Sequence, residues 1–236
     1  MSRVTSPARW LGRATLDLLF PPRCVGCERA GSFLCERCVA DMTPAVGARC
    51  TRCWQPGAFD TMCRDCRLMP PTFDGLRSAF VYEGPARQVV HALKYRGMTA
   101  VAEPAAALLA STARRFALEA DIVVPVPLAG LRRRVRGYNQ AESLARALGR
   151  ELGLPLRPRG LVRTRQTPPQ ARAPDANVRR ANVAGAFACR DESIRGMRVL
   201  LIDDVTTTGA TLNECAVALR AGGASAAWAL TFARED

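Results

Sequence analysis

A chain of 236 residues with 48% hydrophobic content has room for one sizeable core and a small satellite module, and that composition excludes a disordered chain. The formal net charge of +13 points to a polyanionic partner, whether nucleic acid, anionic lipid or a phosphorylated small molecule, although arginine-rich composition alone does not select among them. No stretch approaches the roughly 20 apolar residues of a membrane span, and Arg13 and Asp17 interrupt what would be a signal-peptide core, so the expected location is the cytoplasm, where cysteines stay reduced.

Residues 1–22 begin with an amphipathic stretch in which Leu11, Ala14, Leu18 and Leu19 recur at helical spacing, the pattern of a short docking helix. Eight of the ten cysteines follow, in four Cys-x-x-Cys pairs: Cys24/Cys27, Cys35/Cys38, Cys50/Cys53 and Cys63/Cys66. Each pair can present two thiolates from one tight turn, and two pairs complete a tetrahedral four-sulfur site for structural Zn2+, so residues 23–70 read as a double zinc-ribbon module with two zinc ions. The seven-residue gap after Cys27 and the nine-residue gap after Cys53 favour sequential pairing into two beads, with interleaved pairing left open by spacing. Few large apolar residues are available here, so the metal supplies folding energy. Arg23, Arg29, Arg37, Arg49, Arg52, Arg64 and Arg67 decorate the module as a solvated or nucleic-acid-facing surface. Cys189 and Cys215 stand alone and read as buried or neutral.

Pro70-Pro71 marks the passage to a second domain, 71–236. Leu76 to Tyr82 reads as a strand, Pro85 opens a helix running to Tyr95 with Val89, Val90 and Leu93 as its apolar stripe, and Glu103-Pro104 opens another through Phe116. The single histidine, His91, reads as a surface or packing residue. Ile122 to Pro127 is a buried strand, and the segment from Leu128 to Gly137 reads as a loop carrying Arg132, Arg133, Arg134 and Arg136. Open α/β sheets place ligands beyond the carboxyl ends of their strands, so these guanidinium groups are candidates for a diphosphate. Asn139 and Glu142 have capping-box spacing ahead of Ala141, Leu144, Ala145 and Leu148. Residues 157–188 carry four prolines and no periodicity, the pattern of a functional lid or a disordered segment, with Arg163, Arg165, Gln170, Arg179, Arg180 and Asn182 as its polar candidates.

The most informative stretch is Val199-Leu200-Leu201-Ile202-Asp203-Asp204-Val205-Thr206-Thr207-Thr208-Gly209-Ala210-Thr211-Leu212. Four apolar residues make a buried parallel strand, and Leu212, Cys215, Ala216 and Leu219 make a helix. The intervening loop offers hydroxyls and backbone N–H groups at a helix N-terminus, where a phosphate binds well. The carboxylates ahead of it suit sugar hydroxyls or a metal-bound ligand. A nucleotide P-loop would need Gly-Lys-Ser/Thr at the helix start, whereas the only lysine of the chain, Lys94, is followed by tyrosine. A final strand, Ala226 to Phe232, closes the sheet.

The Asp203 to Thr211 motif resembles the phosphoribosyl diphosphate (PRPP) signature of type I phosphoribosyltransferases. That resemblance implies an α/β fold with a parallel sheet and flanking helices. It also implies Asp203 and Asp204 on the ribose, with Val205, Thr206, Thr207, Thr208, Gly209, Ala210 and Thr211 around the 5′-phosphate. Mg2+ would accompany PRPP, and Pro127, Arg132, Arg133 and Arg136 occupy the place of the pyrophosphate loop. In chain order, Phe20-Pro21-Pro22 before the cysteine pairs, Tyr82-x-Gly84, Leu93-Lys94-Tyr95-x-Gly97, Val124-Pro125-Val126-Pro127 and Arg136-Gly137-Tyr138-Asn139-Gln140-Ala141-Glu142, followed by the Asp-Asp motif, resemble the ComF family of competence-related proteins. This second resemblance implies a part in natural transformation and the handling of single-stranded DNA, with competence proteins as partners. Two functional classes follow: transfer of phosphoribosyl to an acceptor, and PRPP-sensing DNA binding without turnover. For the latter, Trp54, Phe59 and Tyr138 are the candidate stacking platforms.

Overall fold

The computed structural model describes residues 21–59, 61–165 and 181–236; the amphipathic stretch ahead of Pro21 and the lid candidates Gln170, Arg179 and Arg180 lie outside them. Helices α1 (Glu36–Ala40) and α2 (Arg64–Leu68) each start directly after a cysteine and carry the last cysteine of one bead. The α/β part runs β1 (Gly75–Val81), α3 (Gly84–Tyr95), α4 (Ala102–Arg115), β2 (Ile122–Pro125), α5 (Gly130–Arg136) and α6 (Gln140–Leu152), followed by β3 (Leu161–Arg163), β4 (Phe187–Cys189), β5 (Arg198–Thr206), α7 (Ala210–Ala221) and β6 (Ala226–Arg234).

Four strands form one parallel sheet in the order β1-β6-β5-β2, with Ile202 of β5 level with Leu230 of β6 and Pro125 of β2. The fold class is thus the α/β parallel sheet expected, with the cysteine module attached. The last strand does not close the sheet at an edge: β6 inserts between β1 and β5 and extends to Arg234. Its run Ala227, Ala229, Leu230, Phe232, Ala233 is buried throughout, as a central parallel strand requires.

Alternate residues of β5 feed two cores. Leu200 and Ile202 pack with Val89, Val90 and Leu93 of α3, Leu109 of α4 and Leu144 and Leu148 of α6; Val199 and Leu201 pack with Leu212, Cys215 and Leu219 of α7. The outer edge of β1 is covered by the segment linking the two beads, where Ala45 N–H donates to Ala79 O (3.0 Å) and Val81 N–H to Thr43 O (2.9 Å).

Two sequence expectations are corrected. The segment after β2 is not a loop but the short helix α5, ended by Gly137 at φ 81°. It buries none of its residues, so it leaves no apolar period to read. Residues 157–188 are also not wholly irregular: β3 and β4 pair antiparallel, and Val183, Ala186 and Leu161 are buried in the α7 core.

Candidate functional site

The cysteines group sequentially. Cys24, Cys27, Cys35 and Cys38 bring their sulfurs within 4.8 Å of one another, and so do Cys50, Cys53, Cys63 and Cys66. In each bead a backbone N–H from the second pair donates to the first cysteine: Cys35 N–H to Cys24 Sγ (3.4 Å) and Cys63 N–H to Cys50 Sγ (3.3 Å). Against the effect of burial, these and neighbouring amides bring Cys24 and Cys50 down to about 6, while burial and the Cys50 charge push Cys53 up to about 12. Four thiolates packed this closely repel one another unless a cation sits among them, and a four-sulfur set with amide-to-sulfur bonds fits structural zinc.

Two arginines of the module, Arg49 and Arg52, are structural rather than surface groups, and Arg23, Arg29, Arg37, Arg64 and Arg67 are exposed. Arg49 is buried and donates to Val46 O and Trp54 O, and Arg52 donates to Asp74 O (2.9 Å) and Pro71 O (3.1 Å). Trp54 is not a stacking platform: it is buried, donates from Nε1 to Ala45 O and lies under the Arg77 guanidinium; Phe59 is half-buried and packs on the second bead.

The carboxyl ends of all four parallel strands converge on one cavity of about 870 Å³. β1 delivers Tyr82, β2 delivers Val126 and Pro127, β5 delivers Asp203 to Thr206, and β6 delivers Glu235. Thr206 ends β5, Gly209 at φ 76° turns the chain, and α7 begins at Ala210, so the threonine loop sits at a helix N-terminus as the sequence implied. Only a residue that tolerates the left-handed region fits at 209. Thr208 Oγ1 accepts from Ala210 N–H (3.4 Å). Leu212, Cys215, Ala216 and Leu219 are buried, and burial pushes the Cys215 thiol well up, which leaves it a neutral packing group.

Asp203 and Asp204 sit side by side at the end of β5, and Lys94 from α3 reaches Asp204 Oδ2 at 3.2 Å. Burial works against the Lys94 ammonium, but the Asp204 and Asp203 charges outweigh it and hold its pKa above the ordinary value. Burial and the adjacent Asp204 charge push Asp203 well above the usual carboxylate range, with Lys94 only partly opposing. Lys94 is therefore a third member of the carboxylate site. Lys94 stands in the Leu93-Lys94-Tyr95-x-Gly97 motif of the resemblance, but its partner was not legible, because the pairing is with a residue 110 positions away.

The opposite wall is basic. Pro127, Arg132 and Arg136 border the cavity, while Arg133 turns toward Glu142 at 4.0 Å. Arg163 from β3 also borders it; burial and the like charge of Arg132 lower its pKa, so these two guanidinium groups share the same space. The remaining described lid candidates do not border the cavity: Arg165 donates to Ala184 O, and Asn182 is half-buried. Tyr138 lines the cavity and donates its hydroxyl to Leu93 O. Asn139 caps α6 by accepting from Ala141 N–H (3.2 Å) and donates to Val126 O (3.0 Å). Glu142 does not complete a capping box; it pairs with Arg146 at 2.8 Å.

Residues 15–67 match the family model of the double zinc ribbon domain. The DNA utilization protein YhgH of Salmonella typhimurium is 31% identical over 198 residues, covering 81% of this chain and 86% of that protein. Competence protein ComFC of Bacillus subtilis is 28% identical over 200 residues, with 82% and 80% covered, and competence protein F of Haemophilus influenzae is 32% identical over 166 residues, with 67% and 72% covered. The chain belongs to the ComF family. Among solved structures, the glutamine PRPP amidotransferase of B. subtilis complexed with ADP and GMP aligns with 56% of this chain and 26% of that one, at 23% identity and a TM-score of 0.39. In this ComF-family chain the carboxylate pair, the threonine loop, Lys94 and the arginine wall all face one cavity, and the two cysteine beads lie outside its lining. Among the described residues no helix is long and apolar enough to cross a membrane.

Proposed function

We propose that the cavity binds PRPP with Mg2+ and that the protein transfers, or senses, its phosphoribosyl group. The observation that carries this reading is the division of one cavity into three chemistries: a carboxylate pair, an amide- and hydroxyl-bearing helix start, and an arginine wall. Thr206 to Thr211 would take the 5′-phosphate through backbone N–H groups and the α7 dipole. Asp203 and Asp204 would accept hydrogen bonds from the ribose 2- and 3-hydroxyls and stabilise positive charge growing at C1. Arg132 and Arg136 would grip the departing diphosphate. The oxygen-only donors at the Asp-Asp end suit a hard cation, and Mg2+ would neutralise charge on the diphosphate. Residues 71–236 then form the phosphoribosyltransferase-type domain and 23–70 the zinc module.

The names of the relatives support a role in competence and DNA use; single-stranded DNA and other competence proteins are the partners we propose, and the cytoplasm the location. The second reading, a PRPP-responsive DNA binder without turnover, is favoured by α5, whose Leu131 and Val135 are exposed beside four arginines at the cavity mouth. Pyrophosphate release from PRPP, measured with a panel of bases and amines, separates the two. Release above the rate of spontaneous hydrolysis establishes transfer, while PRPP binding without release supports the sensor. Calorimetry is expected to show PRPP–Mg2+ binding to the wild type and at least about tenfold weaker binding to Asp204→Asn; equal binding to both overturns the site.

A further inference from the structure

The second cysteine bead and the threonine loop are held by the same buried guanidinium, and we propose that Arg234 makes the metal state of that bead a determinant of phosphate binding at Thr206 to Thr211. The inference rests on the reading of that loop as a phosphate site.

Bead two turns its amides inward. The N–H groups of Arg52, Cys53 and Cys63 point at the Cys50 sulfur, which leaves the carbonyls of the Cys50–Cys53 turn facing away from the metal position. Cys50 O accepts from Trp54 N–H within the bead, and the next four carbonyls each have a donor beyond the turn. Thr51 O accepts from Arg77 Nη1 (2.9 Å), Arg52 O from Leu76 N–H (2.8 Å), Cys53 O from Arg234 Nη1 (3.0 Å), and Trp54 O from Arg49 Nη1 (3.1 Å). Whereas Leu76 meets the ligand loop only through apolar contact beside Gly209, Arg234 is the one of these four donors that also hydrogen-bonds to it. Its Nη2 donates to Thr207 O (3.3 Å), and its Nε pairs with Asp236 at 2.8 Å, a carboxylate shared with Arg49. Arg234 is only 4% exposed, so its fork has no water to fall back on when one partner leaves.

The consequence for the loop follows from peptide planarity. Thr207 C=O and Thr208 N–H belong to one rigid trans unit, so the guanidinium that fixes the carbonyl also fixes the direction of that N–H. Loss of metal from bead two releases the Cys50–Cys53 turn and with it the Cys53 carbonyl, which frees Arg234 to shift away from Thr207. Among the described residues bead one has no such path: Cys24 and Cys38 pack with Val25 and Leu34 against the α3 side of the sheet.

The test uses the full chain with two probes, ribose 5-phosphate for the loop and inorganic diphosphate for the arginine wall. Arg234→Gln is expected to weaken ribose 5-phosphate about tenfold and leave diphosphate within about twofold. Arg234→Lys keeps the charge without the fork and is expected to restore only part of the loss. Cys66→Ser, which strips bead two, should match Arg234→Gln and add little in its background, whereas Cys27→Ser in bead one should leave ribose 5-phosphate unchanged. Because coupling is reciprocal, ribose 5-phosphate should also raise the affinity for one of the two zinc ions, read in the wild type as the higher concentration of a chromophoric chelator needed to remove it at equilibrium, a readout that needs no variant to fold. No binding of ribose 5-phosphate to the wild type overturns the phosphate-site reading and the coupling together. Wild-type binding with unchanged equilibrium zinc affinity, an unaffected Arg234→Gln, or equal losses from the two bead variants overturns the coupling alone.

Discussion

Lys94 sets the charge balance of the cleft. Two adjacent carboxylates at a buried strand end repel each other, and the Lys94 ammonium is the only lysine charge the chain has to offset them. Asp204 is almost fully buried, so removing its partner strands a charge away from water. Lys94→Met is expected to cost about 3–5 kcal/mol in urea unfolding, the range for breaking one half of a buried pair. Asp204→Asn in the same chain removes the stranded charge, so the double variant should recover a large part of the loss. A single variant within about 1 kcal/mol of wild type would mean that the pair is effectively solvated. The same contact also gives Lys94 a place beside any ligand that takes the Asp203 and Asp204 oxygens, because it then shares them.

At the scale of elements, Asn139 joins two pieces that frame the basic wall. Its side chain caps α6 while its amide donates to Val126 O, one residue beyond β2, so it pins both ends of the segment carrying Pro127, Arg132 and Arg136. Asn139→Ala should cost about 1–2 kcal/mol of stability and weaken inorganic diphosphate several-fold in calorimetry. Asn139→Asp keeps the acceptor for Ala141 N–H but puts a carboxylate against the Val126 carbonyl. It should therefore restore cap stability without restoring diphosphate affinity, and recovery of both would show that only the cap matters. Legibility followed the locality of the cause. β5, the threonine loop and α7 were readable because strand, turn and apolar period lie in one contiguous run, and the cysteine beads because their spacing is itself the site geometry. α5 was hidden because a helix that buries nothing leaves no period, and β3 and β4 because three-residue strands fall below any pattern. The central placement of β6, the Lys94–Asp204 pair and the Arg234 bridge depend on strand order and contacts between distant residues, which one sequence does not carry.

For the molecule as a whole, the zinc module is joined to the α/β sheet through a charged clamp whose pH dependence can be worked out. Asp236 receives Arg49 through two bonds of 2.9 and 2.6 Å and Arg234 at 2.8 Å, and both arginines also hold carbonyls of the second bead. Burial of the carboxyl opposes ionisation, but the Arg49 bonds and the two positive charges win and hold its pKa below the ordinary 3.8. A carboxyl whose folded pKa lies below its unfolded value adds stability that is fully present above the unfolded pKa and disappears as pH falls through the folded one. Acid also drives zinc from the thiolates, so the informative quantity is the difference in melting temperature between wild type and Asp236→Asn, in which shared metal loss cancels. That difference should favour the wild type by a constant amount from about pH 8 to about pH 5 and shrink below about pH 4. Persistence of the full difference at about pH 3 would assign the clamp to hydrogen-bond geometry rather than charge. The clamp includes Arg234, so its loss on acidification should also loosen the threonine loop, and ribose 5-phosphate should lose affinity for Asp236→Asn at neutral pH, by less than for Arg234→Gln, because Asp236 touches the guanidinium but not the loop carbonyl.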